Sequence, residues 1–375
     1  MIPPTEIRRG GAAATVTDVA RAAGVSRATA ARVLGDYGYV NVETRERVLA
    51  AARSLAYQAN QLAKSVATGR SKTIGVVVAD IDSPYFARAI RAITGTASAH
   101  GFVVILATTD EDIEVERDAV RVLLTKRVDG LIISPTSSSE VAHLARLSEI
   151  DCPIVLLDRR VPQLRADTFA VDNFRAAYEA VTMLIGRGHT DIALASNALA
   201  HPGQHLISSV RERIDGYRAA LDDAEIPVDP QLVVMGGAEP QNLAHELRVL
   251  CSSPARPTAF LATESSVALV ILNVLRELHF SIPDDVSLIC FNNPDWTSIT
   301  TPPLTVISQP IKELATAATE KLIARLTGAA SNVRKETLLA ATLIRRGSVS
   351  DVCHVQRSAV LTSPQPLKPP GKSMS

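Results

Sequence analysis

Apolar residues change their period once along this chain. From Thr15 to Leu55 they recur at helical spacing in three short bursts, and from Ile74 onward strand-sized apolar runs alternate with helical stretches. The first burst, Val16, Val19, Ala20 and Ala23, follows Thr15-x-x-Asp18, which reads as a capping box, and Gly24 ends it. Ser26 caps a second helix running to about Leu34, with Gly35 expected as its left-handed terminator. A third helix, roughly Glu43 to Leu55, offers Val48, Ala52 and Leu55 to close a miniature core. Two short helices joined by a tight glycine-containing turn make a helix-turn-helix.

Beyond that head the pattern predicts Ile74 to Ala79, Val103 to Ala107, Gly130 to Ser134 and Ile154 to Leu157 as strands, with helices at Tyr85 to Ala99, Ile113 to Leu124 and Phe174 to Gly186. It continues with strands Ile192 to Ala195, Leu232 to Met235, Ala259 to Ala262 and Val286 to Phe291, and helices Val210 to Asp222, Gln241 to Cys251 and Ser266 to Leu278. Uninterrupted alternation implies doubly wound parallel sheets covered by helices on both faces, and there are too many units for one sheet. The expected fold class is an all-α helix-turn-helix head followed by an α/β part of two parallel-sheet lobes. The expected organisation is an N-terminal extension over 1–14, a head over 15–58, a hinge over 59–72 and a two-lobed domain over 73–346. A disordered tail is expected over 347–375, where Ser363 to Gly371 lacks any periodic apolar face.

Charge sharpens this division. The 375 residues carry a formal net charge of zero. Yet between Thr15 and Lys72 the positives Arg21, Arg27, Arg32, Arg45, Arg47, Arg53, Lys64, Arg70 and Lys72 face only Asp18, Asp36, Glu43 and Glu46. A basic head on a slightly acidic body points to nucleic acid as the partner of one end only. A hydrophobic share of 46% and a charged share of 21% describe a soluble globular protein.

Several function classes fall away. The 4 cysteines, Cys152, Cys251, Cys290 and Cys353, show no paired spacing, and the 8 histidines no ligand spacing, so neither a metal nor a cofactor is expected. The first strand after the head is followed by Asp80-Ile81-Asp82-Ser83-Pro84, with no phosphate-cradling glycine pattern, and no nucleophile–base pair stands out, so an enzyme is not expected. A transporter's solute-binding protein would share the two lobes but would need an export signal where the basic head sits. Met1 to Ala14 has no apolar run and no later stretch is long enough to span a bilayer, which gives an expected cytoplasmic location.

Taken together, TVTDVARAAGVSRATAARVL, GYVNVETRERVLAAARSLAYQAN, RSKTIGVVVADIDSPYF, KRVDGLIISP, GRGHTDIALAS, RIDGYRAAL, IPDDVSLICFNN and PPLTVISQP resemble, in that order, the LacI/GalR family of bacterial repressors. The resemblance spans about Thr15 to Val349 and implies lobes like those of periplasmic binding proteins, a homodimer, double-stranded operator DNA as one partner and a small-molecule effector as the other. It implies that the helix starting at Ser26 enters the major groove with Arg27, Ala28 and Arg32 at base edges, arginine's fork matching the two acceptors of guanine. Ser26, Thr29, Tyr57, Thr15 and Thr17 stand where phosphates are reached, a structural role being equally open for each. In the hinge, Asn60 and Lys64 fall in the DNA-contacting segment. Val66 stands where the family carries a minor-groove wedge, usually leucine, and Ala59 where proline is common. Ordinary hinge packing is the other reading of Val66.

The effector is implied to lie between the lobes, at the carboxyl ends of the strands. The motif positions there are Tyr85, Phe86, Thr136, Arg213 and Asn292, with Glu264 and Ser265 at the end of another strand. Arg213 is expected to grip ligand hydroxyls or a carboxylate, the alternative being a salt bridge that supports its helix. Ser265 stands where sugar-binding members carry an acid and Asn292 where they commonly carry aspartate. Those departures favour a phosphorylated, acidic or non-sugar effector, with Glu264 available to compensate.

Overall fold

The computed structural model describes residues 14–35, 37–57, 70–197, 206–237, 240–253, 256–331 and 333–352. The chain divides into two compact units, Met1–Thr73 and Ile74–Ser375.

The described residues of the first unit hold three helices: α1 (Val16–Ala23), α2 (Arg27–Gly35) and α3 (Val42–Ser54). Both halves of the α1 capping box form, Thr15 Oγ1 accepting from Asp18 N at 3.3 Å and Asp18 accepting from Thr15 N at 3.0 Å. Gly24 turns left-handed at φ 63° to end the helix. Ser26 Oγ accepts from Thr29 N at 3.1 Å, and Asn41 Oδ1 caps α3 through Thr44 N at 2.8 Å. Each such cap is worth about 1 kcal/mol, which matters in a unit whose buried core among the described residues is Val19, Ala20, Ala23, Ala30, Val33, Val48, Ala51 and Ala52. Two expectations are corrected. Gly35 remains helical, and Gly38, at φ 72°, supplies the left-handed turn. Leu55 is exposed, and Ala51, one turn earlier, takes its place in the core.

The second unit holds two sheets of six strands. The first lobe is built from β1 (Thr73–Val78), α4 (Pro84–Ala99), β2 (Val103–Thr108), α5 (Ile113–Thr125), β3 (Gly130–Ile133), α6 (Ala142–Ala145), β4 (Ile154–Leu157) and β5 (Asp167–Val171). The second holds α7 (Asn173–Ile185), β6 (Ile192–Ser196), α8 (Ser208–Asp223), β7 (Val233–Met235), α9 (Pro240–Cys251), β8 (Ala259–Ala262), α10 (Ser265–Glu277), β9 (Ser287–Phe291) and β10 (Thr305–Ser308). The chain then crosses back with α11 (Ile311–Leu326) and β11 (Glu336–Leu339) and crosses again to β12 (Thr342–Ile344). Strand orders are β11-β5-β4-β3-β1-β2 and β12-β10-β9-β8-β6-β7.

Alternation along each strand feeds two cores per lobe. In β6, Ile192 and Leu194 pack under α7 and α8, while Ala193 and Ala195 face α9 and α10. The pairs between β1, β3, β4 and β5 and between β6, β8, β9 and β10 are parallel, and β12 alone is antiparallel to its neighbour among the pairs with described register. Strands β5, β10, β11 and β12 and helix α11 lie outside the predicted alternation. They are the segments that make and flank the crossings between lobes. Helices α7 and α8 approach so closely at Gly216 that a Cβ there would lie 2.2 Å from the Phe174 carbonyl oxygen. Residues 347–352, expected to open the loose tail, are packed: Ser348 is fully buried, donates to Leu288 O at 2.6 Å and accepts from Thr305 N at 2.8 Å. Residues 1–13, most of the hinge with Asn60, Lys64 and Val66, and 353–375 lie outside the described residues.

Candidate functional site

In the head, burying Ala30 and Val33 of α2 turns Arg27, Ala28 and Arg32 outward, and all three are exposed. Ala28 and Arg32 are one turn apart, so they share a stripe, with Arg27 beside it. Ser26 and Thr29 join their hydroxyls at 2.9 Å while capping α2. Thr15 likewise donates its hydroxyl to Asp18 at 2.7 Å. That bond, ahead of the nearby Arg21, holds the Asp18 carboxyl below the usual carboxylate range. Thr17 is exposed, whereas Tyr57 is half-buried against the three-helix core.

In the second unit, strands β1, β3, β4, β6, β8 and β9 all deliver their carboxyl ends to one cavity of about 460 Å³ between the two lobes. Tyr85, Phe86, Thr136, Arg213, Glu264 and Asn292 line it. Ser265 does not: it is the first residue of α10, buried, and among the seven predicted positions the one the structure leaves outside the cavity.

Arg213 is 4% exposed. Its Nε donates to Asn173 Oδ1 at 2.9 Å, one Nη donates to the Thr263 carbonyl at 2.5 Å, and the guanidinium lies 4.1 Å from the centre of the Phe291 ring. No carboxylate of a described residue lies within salt-bridge distance, so the helix-supporting ion pair is not what holds it. Burial lowers its pKa, opposed by the charges of Asp158 and Glu264. Asn292 sits at φ 73°, a left-handed position that asparagine tolerates, and accepts from Gln309 Nε2 at 2.7 Å. Thr136 N donates to the fully buried Glu116 at 2.6 Å, and Glu116 also meets His143 Nε2 at 2.7 Å, which fixes the loop lining this side of the cavity.

Sequence reasoning missed Asp158 and Arg159. They follow β4 directly, in Leu156-Leu157-Asp158-Arg159, and a charged pair at the carboxyl end of a fully buried strand was the available signal. Arg159 is 4% exposed. It donates to Glu111 at 2.7 Å and to the Pro135 carbonyl at 2.9 Å. Burial opposes its charge, but Glu111 and Asp158 outweigh that and raise its pKa. Burial also raises the pKa of Glu264, only partly offset by Arg213, and raises Tyr85 well above its usual value, with Asp158 adding to it. Several buried polar atoms have no hydrogen-bond partner: Tyr85 Oη, Arg159 Nε and Gln309 Oε1 among the lining residues, and Ser134 Oγ and Thr263 Oγ1 at the ends of β3 and β8. Buried polar groups are ordinarily satisfied, so this concentration marks a place for a polar ligand.

Arginines tie the lobes together at the rim. Arg88 on α4 donates to Asn293 O at 3.0 Å and to Asp295 at 3.1 Å. Arg160 pairs with Glu212 of α8 at 3.1 Å, while its backbone N–H meets Ser208 Oγ at 2.7 Å. Among the described residues no group of three or more histidine, cysteine, aspartate or glutamate side chains is disposed to hold a metal, and no helix is long and apolar enough to cross a membrane.

Comparison with known proteins agrees with both units. Residues 15–60 match the model of bacterial regulatory proteins of the lacI family, and residues 181–349 that of a periplasmic binding protein-like domain. A "Probable opine utilization operon repressor" of Rhizobium rhizogenes is 70% identical over 181 residues, 48% of this chain and 91% of that one. The HTH-type transcriptional repressor CytR of Escherichia coli is 32% identical over 84% of this chain and 91% of its own length. The crystal structure of the lac repressor dimer bound to operator and an anti-inducer is 26% identical, covers 90% of this chain and all of that one, and superposes with a TM-score of 0.80. With a helix-turn-helix head, two parallel-sheet lobes around one polar cavity and relatives that are transcriptional regulators, this chain belongs to the lacI family of DNA-binding bacterial regulatory proteins.

Proposed function

We propose that this protein is a cytoplasmic repressor, homodimeric as in the lac repressor structure, whose operator affinity is set by a small molecule bound between its lobes and which catalyses no reaction. Arg27, Ala28 and Arg32 read base edges in the major groove, with Ser26, Thr29, Thr15, Thr17 and Tyr57 toward the phosphates. Asn60, Lys64 and Val66 serve the minor groove. Tyr85, Phe86, Thr136, Arg213, Glu264 and Asn292 hold the effector, joined by Asp158 and Arg159, while Ser265 supports the start of α10. The observation that carries this reading is a single cavity at the strand carboxyl ends lined by two buried arginines and by polar atoms without partners. An effector with equal affinity for the operator-competent and incompetent states shifts nothing, so the effector must bind one of the two states more tightly.

The name of the Rhizobium rhizogenes relative supports an effector of the opine kind, an amino acid N-linked to a small carboxylic acid. The lack of an acid at Ser265 and Asn292 points the same way, since neutral sugars are held through carboxylates at those places. A thermal-shift screen of sugars, sugar phosphates, nucleosides and opine-type acids tests the site. A true effector stabilises the wild type, the effect disappears in Arg213→Ala, and the same compound changes operator binding. A stabilising compound whose effect survives Arg213→Ala overturns the assignment.

A further inference from the structure

Six carboxylates and two guanidiniums, those of Arg159 and Arg213, line the cavity among the described residues. Asp158 and Glu264 both line it, Glu264 receiving no hydrogen bond from a described residue and Asp158 having the Tyr85 hydroxyl as its neighbour. The nearest cation to Asp158 is Arg159 Nε at 4.0 Å, beyond hydrogen-bond length, and Arg159 spends its terminal nitrogens on Glu111 and Pro135. Gln309 Oε1, an acceptor on a residue 8% exposed, is also without a partner. These groups want a donor that carries positive charge, because two carboxylates sharing one low-dielectric space repel each other. The donors with unmet capacity are Arg159 Nε, itself 4.0 Å from Asp158, and the second Nη of Arg213, which has no partner among the described residues. Tyr85 Oη, on a residue 6% exposed, lies near Asp158 without a well-formed hydrogen bond and can donate or accept.

We infer that the effector is a zwitterion with an ammonium group seated between Asp158 and Glu264 and a carboxylate on Arg213, the secondary amine of an N-(carboxyalkyl) amino acid fitting both at once. This deepens the reading of the cleft as the effector site and rests on it. A neutral polyol satisfies hydrogen bonds but adds no positive charge to a lining in which carboxylates outnumber the two guanidiniums. A simple dicarboxylate satisfies the arginines but brings two negative charges and no cation for Asp158 and Glu264. The Phe291 face, which would otherwise stack a flat ring, is covered by the Arg213 guanidinium. Charge-assisted contacts of this kind discriminate by about ten- to a hundredfold each.

Calorimetric titration of the full chain with N-(1-carboxyethyl) derivatives of alanine, glutamate and arginine tests this. The controls are 2,4-dimethylglutarate, which replaces the amine of the alanine derivative by a methylene, and ribose and cellobiose. The expected result is binding of at least one amine, with the dimethylglutarate at least about tenfold weaker than the alanine derivative. That gap closes in Asp158→Asn, with Glu264→Gln as the second variant should the first unfold. Equal binding of the methylene analogue, binding of sugars alone, or no response to any compound overturns the inference. Sugar binding that is lost in Arg213→Ala leaves the cleft reading standing, whereas binding that survives both Arg213→Ala and Asp158→Asn removes the cleft itself.

Discussion

The same side chain works under opposite conditions at the two ends of this molecule. Arg27 and Arg32 stand exposed on α2, whereas Arg159 and Arg213 are each 4% exposed beneath the cavity. An exposed arginine acts at long range, is screened by salt and is free to adapt to a groove. A buried one is oriented by its partners: Arg213 by Asn173, the Thr263 carbonyl and the Phe291 face, and Arg159 by Glu111 and the Pro135 carbonyl. The head therefore recognises through accessible charge and the cleft through fixed geometry, which gives the two binding events different physical signatures.

The largest expected effect separates those signatures directly. Raising salt from 50 to 200 mM should weaken operator binding by about a thousandfold or more, as phosphate contacts release counterions, and cleft binding by much less. Fluorescence anisotropy for the duplex and calorimetry for the ligand measure the two, and parallel slopes would erase the distinction. Next in size, Arg213→Ala should cost at least about a hundredfold in effector affinity, because it removes the cavity's anchored cation, while operator binding without effector stays within about threefold.

How much of this was visible in the sequence follows from how local each signal is. The caps at Thr15, Ser26 and Gly24 depend on residues within four positions, and six of the seven cleft positions sit at motif ends that meet in space. Arg159 finds Glu111 across 48 residues, so its burial was not legible from its neighbours. Gly35 and Leu55 mislead for a similar reason: the three-helix packing decides which residue turns left-handed and which face is covered, and it chose Gly38 and Ala51. The short strands β5, β11 and β12 are defined by their pairing with distant segments, Asp167–Val171 with Glu336–Leu339 for instance, and carry no period of their own.

A smaller effect sharpens the head's side of the contrast. Arg32→Ala should cost about 1–3 kcal/mol on the preferred operator and less on variants at one base position, narrowing discrimination there. Competition binding across an operator library checks it, and a uniform loss would assign Arg32 to the backbone instead. The smallest effect concerns a buried histidine outside both sites. His189 is fully buried, bonded to Thr258 Oγ1 at 2.9 Å and to the Ser350 carbonyl at 3.1 Å, and burial holds its pKa below the usual 6.5. The unfolded chain binds that proton more readily, so stability should fall as pH drops below 6.5 toward the folded-state value. Thermal melts from pH 7.5 to 5.5 should show that decline, lessened in His189→Gln, and an equal decline in both would place its origin elsewhere.

The account stands or falls on coupling between a ligand in the cleft and duplex binding by the head. Full-length protein is put through a random-duplex selection at low ionic strength, and the affinity for the recovered site is measured with and without a compound that binds through Arg213. Recovery of one preferred, pseudopalindromic sequence whose affinity the compound changes at least tenfold is the predicted result. Indifference to sequence, or a recovered site bound equally tightly in both conditions, contradicts it.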